Sequence, residues 1–256
     1  MIDPRAIIDP SAKLAGDVKV GPYAIIGPDV EIGAGTVVES HAVIKGPTKI
    51  GRDNHIFQFA SVGEISQDLK YKGEEVWLEI GDRNKIREFT TLNRGTAQGG
   101  GVTKIGGDNL LMAYVHVGHD SIVGNHVIMA NGVSLAGHVT IHDHAILGGL
   151  SAVHQFCHVG SYSICSGGSM VAKDVAPFVM MSGNFAKPFG LNSVGLKRHG
   201  FTPEDMLWLK RAYRVVFRSG LTSEEAIAQL TTMLPECEKI ALFIEAIKRS
   251  ERGLAK

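Results

Sequence analysis

Histidine is the side chain best suited to moving a proton near neutral pH, and this chain concentrates it. Eight of its eleven histidines lie from His116 to His158, in a stretch containing AYVHVGHDSIVGNH and AVHQF. His119 is followed directly by Asp120. A neutral imidazole beside a carboxylate suits a general base, because the carboxylate orients the ring and stabilises its charged form. No serine or cysteine is placed as an obvious nucleophile. The P-loop, G-x-G-x-x-G, G-x-S-x-G and H-E-x-x-H spacings are missing as well. Nucleotide hydrolysis, dinucleotide redox chemistry and serine hydrolysis therefore give way to direct attack by an acceptor activated at histidine.

The elements that hold these histidines announce themselves by a period of six. From Ile8, every sixth residue is Leu14, Val20, Ile26, Ile32, Val38, Ile44, Ile50, Ile56 and Val62. A short run follows at Ile80, Ile86 and Leu92, and a long one from Ile105 through Val171 that departs from Ile, Leu or Val only at Met129 and Cys165. A helix repeats at about 3.6 residues and a strand at 2, so six fits neither a bundle nor an ordinary sheet. It fits a solenoid of short strands with one aliphatic side chain per hexad pointing into a narrow interior. Glycine makes up 31 of 256 residues and often follows that aliphatic residue, as at Gly21, Gly33, Gly81 and Gly118. There it is expected to supply a positive φ or a tight turn between flat faces.

Three hexads close a coil of 18 residues, so positions 18 apart should stack, about 4.8 Å from one another as neighbouring strands do. His119 then stacks with Gly137 and Asp120 with His138, while His154 falls one coil further on at the same corner. His116, His119, Asp120, Gly137, His138, His154 and Gln155 form one expected neighbourhood. A glycine next to the base offers a backbone N–H unobstructed by a side chain, which suits an oxyanion in acyl transfer. Two polar interruptions, 63–79 and 94–104, are expected to be loops inserted into the solenoid on a binding face.

After Asp174 the period stops. Residues 183–200 read as an irregular connector within a β-helix domain 1–186 and a C-terminal unit 187–256. Thr202-Pro203-Glu204-Asp205 is a capping box that starts a helix over MLWLKRAYRVVFR, and Thr222-Ser223-Glu224-Glu225 starts a second. A third is expected from Pro235 to about Arg252. The predicted fold is thus an all-β parallel β-helix followed by a small α-helical domain.

Composition narrows the partners. Lysine plus arginine and aspartate plus glutamate both number 26, so no global field holds a polyanion. The C-terminal unit nonetheless carries an excess of four positive charges, and Lys210, Arg211, Arg214 and Arg218 form a basic strip on its first helix. No apolar run approaches a membrane span, and the first residues lack the pattern of a signal peptide. Cys157, Cys165 and Cys237 are an odd set without C-x-x-C spacing, which is read as reduced thiols in a cytoplasmic protein. Zinc is expected to be absent. Some hexapeptide proteins bind it through one histidine, a second two coils later, and H-x-x-x-x-H, whereas here the residue two coils after His119 is Gln155.

The hexads, QDLKYKGE, REFTTLNRGT, HVGHDSIVGNH, SLAGHV, AVHQF and GLKRHGF occur in order along essentially the whole chain. Together they closely resemble the UDP-N-acetylglucosamine O-acyltransferases, hexapeptide-repeat enzymes of lipid A biosynthesis. The resemblance implies a left-handed β-helix, a homotrimer with active sites between subunits, and no cofactor. It implies transfer of an (R)-3-hydroxyacyl group from acyl carrier protein to the sugar 3-position of UDP-GlcNAc. By matching motif, His119 is the base, Asp120 its partner and Gly137 the oxyanion donor. Gln67, Asp68 and Lys70 would contact the nucleotide sugar; Asn93, His116, His138, His154 and Gln155 would line the substrate groove. Asn192 and Arg198 would hold the uridine diphosphate. Gly167 stands at the family's end stop for the acyl groove, with Met170 and Phe185 beside it, and the basic strip would dock the carrier protein.

Asn93, Phe185, Val194 and His199 depart from the common pattern, which bears on acceptor and tail selection, not on reaction class. Asn93 in particular suits an alternative acceptor, a 3-amino sugar giving an amide. Three rivals stand beside this reading: a coenzyme A-dependent hexapeptide acetyltransferase, the paralogous N-acyltransferase, and a non-catalytic hexapeptide scaffold. The N-acyltransferase normally carries an N-terminal domain for which hexads beginning at Ile8 leave no room.

Overall fold

The computed structural model describes residues 1–256. Short strands, most of two residues, alternate with corners and stack into three parallel sheets that form the faces of a left-handed prism. The register is the predicted one: Ile7 pairs with Ile25, Ile25 with Val43, His116 with Ser134, and Ser134 with Ala152. Each hexad aliphatic residue from Val20 onward is buried, including Met129 and Cys165, both with no exposed surface. One apolar core runs the length of the prism and continues under the C-terminal helices.

The glycine expectation is half right. The positive φ falls two residues after the glycine and mostly on other residue types: Tyr23, Asp53, Arg83, Asp120, His126, Leu150 and Tyr162 all have φ between 54° and 64°. The glycines are demanded by close approach instead. A Cβ on Gly33 would stand 2.7 Å from the carbonyl oxygen of Gly51 in the next coil.

Both insertions break the 18-residue spacing. Ser61 pairs with Thr91 and Thr91 with His116, so the two coils are longer by twelve and seven residues. The first insertion leaves the face after the strand Ser61–Glu64 and returns at Trp77–Ile80. The second carries a 3₁₀ turn, Ala97–Gly99, and rejoins at Val102–Ile105. These two loops overhang the coil that holds His119.

The connector differs from expectation. Lys187–Leu191 is a strand that pairs antiparallel with Val179–Ser182 and caps the third face. Its Pro188 and Gly190 disguise it in the sequence, and both are tolerated because it is an edge strand. Helix α1 (Ser193–Arg198) follows, then α2 (Pro203–Arg218) and α3 (Ser223–Thr231), the last two opened by the predicted capping boxes. The last helix is shorter than expected: a 3₁₀ turn at Glu238–Ile240 leads into α4 (Ala241–Arg249). No helix is long and apolar enough to cross a membrane.

Candidate active site

A cleft of about 810 Å³ opens at one corner of the prism, between the two inserted loops and the following coils. Its walls include Gln67, Asp68, Lys70, Asn93, His116, His119, Gly137, His138 and Gln155, each anticipated from the sequence. It also includes Leu69, Thr96, Gln98, Gly118 and Phe156, which were not.

At its centre the His119 Nδ1 lies 2.8 Å from Asp120 Oδ2. The Asp120 carboxylate has no exposed surface, while the His119 side chain keeps 17%. A buried carboxylate needs donors, and Thr96 supplies two. Its backbone N–H donates to Asp120 Oδ1 at 2.8 Å and its hydroxyl to Oδ2 at 2.6 Å. Asp120 in turn donates its own N–H to Thr103 Oγ1 at 2.8 Å. With the carboxylate accepting at Nδ1, the tautomer is set and Nε2 is the nitrogen left for substrate.

The coil above completes the centre. The His119 ring lies against Gly137, where a Cβ would come within 2.6 Å of Nε2. The Gly137 N–H donates to no acceptor in the chain, so it is free for an oxyanion. His138 meets His119 edge-on at 5.1 Å and stacks on Phe156 at 4.5 Å, with its Nε2 3.7 Å from Asp120 Oδ2. His116 pairs through Nδ1 with Thr91 Oγ1 at 2.7 Å. Burial, and secondarily the neighbouring His119, hold His116 below the usual imidazole range.

His119, Asp120 and His138 bring ligand atoms within 4.8 Å of one another, as a metal site would. Both Asp120 oxygens are already taken by three donors, however, which describes a hydrogen-bonded dyad.

In the first loop, Asp68 accepts from the Lys70 N–H at 2.9 Å and so shapes the turn that presents Lys70. Asn93 is buried and its amide donates to the Ile65 carbonyl at 2.6 Å and the Glu64 carbonyl at 3.4 Å. Its donors therefore brace the loop, and its carbonyl oxygen is the group left over.

Other predicted residues lie outside this cleft. His154 is exposed, with Nδ1 3.1 Å from the Gln155 carbonyl. Gly167, Met170 and Phe185 lie further along the prism, Met170 and Phe185 with exposed side chains. Asn192 caps α1, accepting from Gly195 N–H at 3.2 Å and donating to the Tyr162 carbonyl at 2.9 Å. Arg198 is exposed at the end of α1. On α2, Lys210, Arg211, Arg214 and Arg218 are all exposed and make no ion pair, with Arg211 over the Trp208 ring at 4.3 Å.

Thr96 could not be found by the stacking rule, because it arrives on inserted residues outside the hexad register. The signal available was indirect: the 94–104 interruption falls one coil before His119.

Comparison with known proteins agrees with this architecture. Residues 174–255 match the family described as Udp N-acetylglucosamine O-acyltransferase; Domain 2, and residues 11–46 and 103–137 match the bacterial transferase hexapeptide repeat. The chain is 53% identical to the acyl-[acyl-carrier-protein]–UDP-N-acetylglucosamine O-acyltransferase of Stutzerimonas stutzeri, covering 100% of this chain and 99% of that one. Among solved structures it superposes on LpxA from Acinetobacter baumannii with a TM-score of 0.98 at 54% identity. The UDP-N-acetylglucosamine O-acyltransferase of Moraxella catarrhalis gives 0.98 at 50%. Each of these two matches covers 100% of this chain and 99% of the other.

Proposed function

The chain belongs to the UDP-N-acetylglucosamine O-acyltransferase family, and from that premise we propose that it moves an (R)-3-hydroxyacyl group from acyl carrier protein to the 3-hydroxyl of UDP-GlcNAc. This is the first step of lipid A biosynthesis, taking place in the cytoplasm. The observation that carries the reading is the His119–Asp120 pair at 2.8 Å beside the unbonded Gly137 N–H in one cleft.

In the reaction, His119 Nε2 takes the proton of the 3-hydroxyl as the oxygen attacks the thioester carbon. Negative charge develops on the thioester oxygen, where the Gly137 N–H is the donor. Asp120 stabilises the imidazolium that forms. Collapse of the tetrahedral intermediate breaks the C–S bond, and His119 returns its proton to the departing thiolate. The acyl group passes directly to the sugar, so no covalent enzyme intermediate and no cofactor is required; the carrier thioester is the co-substrate.

Gln67, Asp68 and Lys70 would hold the nucleotide sugar, and His116, His138 and Gln155 would shape its groove. A homotrimer with sites between subunits fits the remaining residues. His154, Asn192, Arg198, Gly167, Met170 and Phe185 do not line the cleft of their own chain, and a neighbouring copy would bring a second wall. The deciding experiment offers UDP-GlcNAc with a series of 3-hydroxyacyl carrier proteins and reads the products by mass spectrometry. An O-acylated UDP-GlcNAc is expected. Transfer from acyl-coenzyme A alone, or no transfer, would overturn the reading.

A further inference from the structure

We propose that Thr96 is a positioning residue for the catalytic base, holding Asp120 so that His119 presents Nε2 to the acceptor; the role assigned to His119 rests on the function proposed above. Thr96 touches neither a reacting atom nor the His119 ring in the bonds it makes. It acts through the carboxylate.

The geometry is a chain of directed hydrogen bonds. The Gly99 N–H donates to Thr96 Oγ1 at 3.2 Å, and the Thr96 hydroxyl donates to Asp120 Oδ2 at 2.6 Å. The same oxygen faces His119 Nδ1 at 2.8 Å, and the Thr96 N–H occupies Oδ1 at 2.8 Å. An ionised carboxylate only accepts, so the Thr96 hydroxyl proton must point to it. Asp120 is fixed against rotation by donors on both oxygens. The imidazole then has one nitrogen committed and one free.

The second loop also seals the carboxylate. A Cβ on Gly99 would stand 2.0 Å from Asp120 Cγ, so the loop backbone lies directly on the acid. This gives a chemical use to the seven residues that lengthen this coil.

The test compares Thr96→Val, Thr96→Ser and Gly99→Ala in the full-length protein. Turnover is measured with 3-hydroxyacyl carrier protein and UDP-GlcNAc, and the His119 tautomer by nitrogen-15 NMR of histidine-labelled protein without substrate. Thr96→Val is expected to lower kcat by on the order of 10–100-fold, by analogy with outer partners that orient a metal-bound imidazole. KM for UDP-GlcNAc should hold, and the His119 signal should shift away from the pure Nδ1–H form. Thr96→Ser keeps the donor and should restore both readouts. Gly99→Ala displaces the loop and should shift the tautomer as Thr96→Val does, which keeps the test intact if the valine variant folds poorly. A wild-type tautomer in both the valine and alanine variants overturns the proposal, as does a kcat loss that serine fails to rescue. A wild-type protein that transfers no acyl group, yet whose tautomer shifts in Thr96→Val, supports the positioning role while removing the reaction proposed above.

Discussion

The His119 ring lies across Gly137 so closely that a Cβ at Gly137 would stand 2.5 Å from Cε1 and 2.6 Å from Nε2. Gly137 does not have a positive φ, so alanine fits its backbone and collides only with the base. Gly137→Ala should fold normally and lose about 100-fold in kcat, the cost of displacing a reacting group by about 1 Å. His119→Ala should lose on the order of 10²–10⁴-fold while still binding UDP-GlcNAc. Steady-state kinetics beside thermal melting checks both; near-normal kcat in His119→Ala removes it as the base, and near-normal kcat in Gly137→Ala, which keeps the backbone N–H, removes the steric constraint on the His119 ring.

Acidification should loosen the joint between prism and helices. His142 lines a small cavity with Pro177, Leu242, Glu245 and Arg249, and its Nε2 is buried without a partner. Burial first, then the Arg249 charge, press His142 down to about 4 from 6.5. His158 is lowered by the same two causes. The unfolded chain therefore binds these protons more readily, so stability is full above pH 6.5 and falls as pH drops toward 4. The melting temperature should drop by several degrees between pH 7 and 4.5, and less in His142→Gln. An equal drop in both proteins would place the acid sensitivity elsewhere.

What the sequence made legible follows from where the physics is local. An inward aliphatic residue every sixth position is a packing demand repeated in every coil, so Ile26 and Val153 are readable one at a time. Stacking carries that local rule into space and brings His119 to Gly137 without any structure. Thr96 lies beyond its reach, because an inserted loop has no register and its path depends on what it packs against. Lys187–Leu191 was hidden for a different reason: its partner, Val179–Ser182, uses an antiparallel register that no hexad predicts. Nine of the cleft residues were visible as types and positions, whereas Leu69, Thr96, Gln98, Gly118 and Phe156 and the loop contacts that orient the site were not.

The basic strip on α2 should govern the carrier protein. Lys210, Arg211, Arg214 and Arg218 are exposed and unpaired, so they are free to meet an acidic surface. Reversing Arg211 and Arg214 to glutamate should raise KM for the acylated carrier about tenfold or more and weaken its salt dependence. KM for UDP-GlcNAc should stay put. An unchanged carrier KM would return the strip to an ordinary solvated helix face.

Acyl length should depend on Gly167. A Cβ there would meet only the Gly149 backbone, nearest at 3.3 Å, so a side chain can be added with little rearrangement. On the proposed function, an acyl groove passing Gly167 would meet no side chain there, and a chain of about 12–14 carbons is expected, each buried methylene contributing about 0.8 kcal/mol. Gly167→Met should shift the preference to a shorter chain in a competition among acyl carriers. A preference for 10 carbons in the wild type, unmoved by methionine, would locate the end stop elsewhere, with Phe185 the next residue to test.

Asn93 decides how the acceptor should be read. As a free amide it would offer both donors and an acceptor, which suits an amine at the sugar 3-position. In the folded chain its donors go to the Ile65 and Glu64 carbonyls, at 2.6 and 3.4 Å. Only its carbonyl oxygen remains, and that accepts from a hydroxyl as readily as from an amine. Asn93 therefore acts as a brace for the loop carrying Gln67, Asp68 and Lys70, and the ordinary hydroxyl is the expected acceptor. Asn93→Ala should raise KM for UDP-GlcNAc several-fold, since the loop loses its anchor, and leave the choice between hydroxyl and amine unchanged. Direct competition between UDP-GlcNAc and its 3-amino analogue measures that choice. A wild-type preference for the amine of about 100-fold, or about 2.7 kcal/mol, that disappears in Asn93→Ala would make Asn93 a selector for an amide-linked product and overturn its role as a brace.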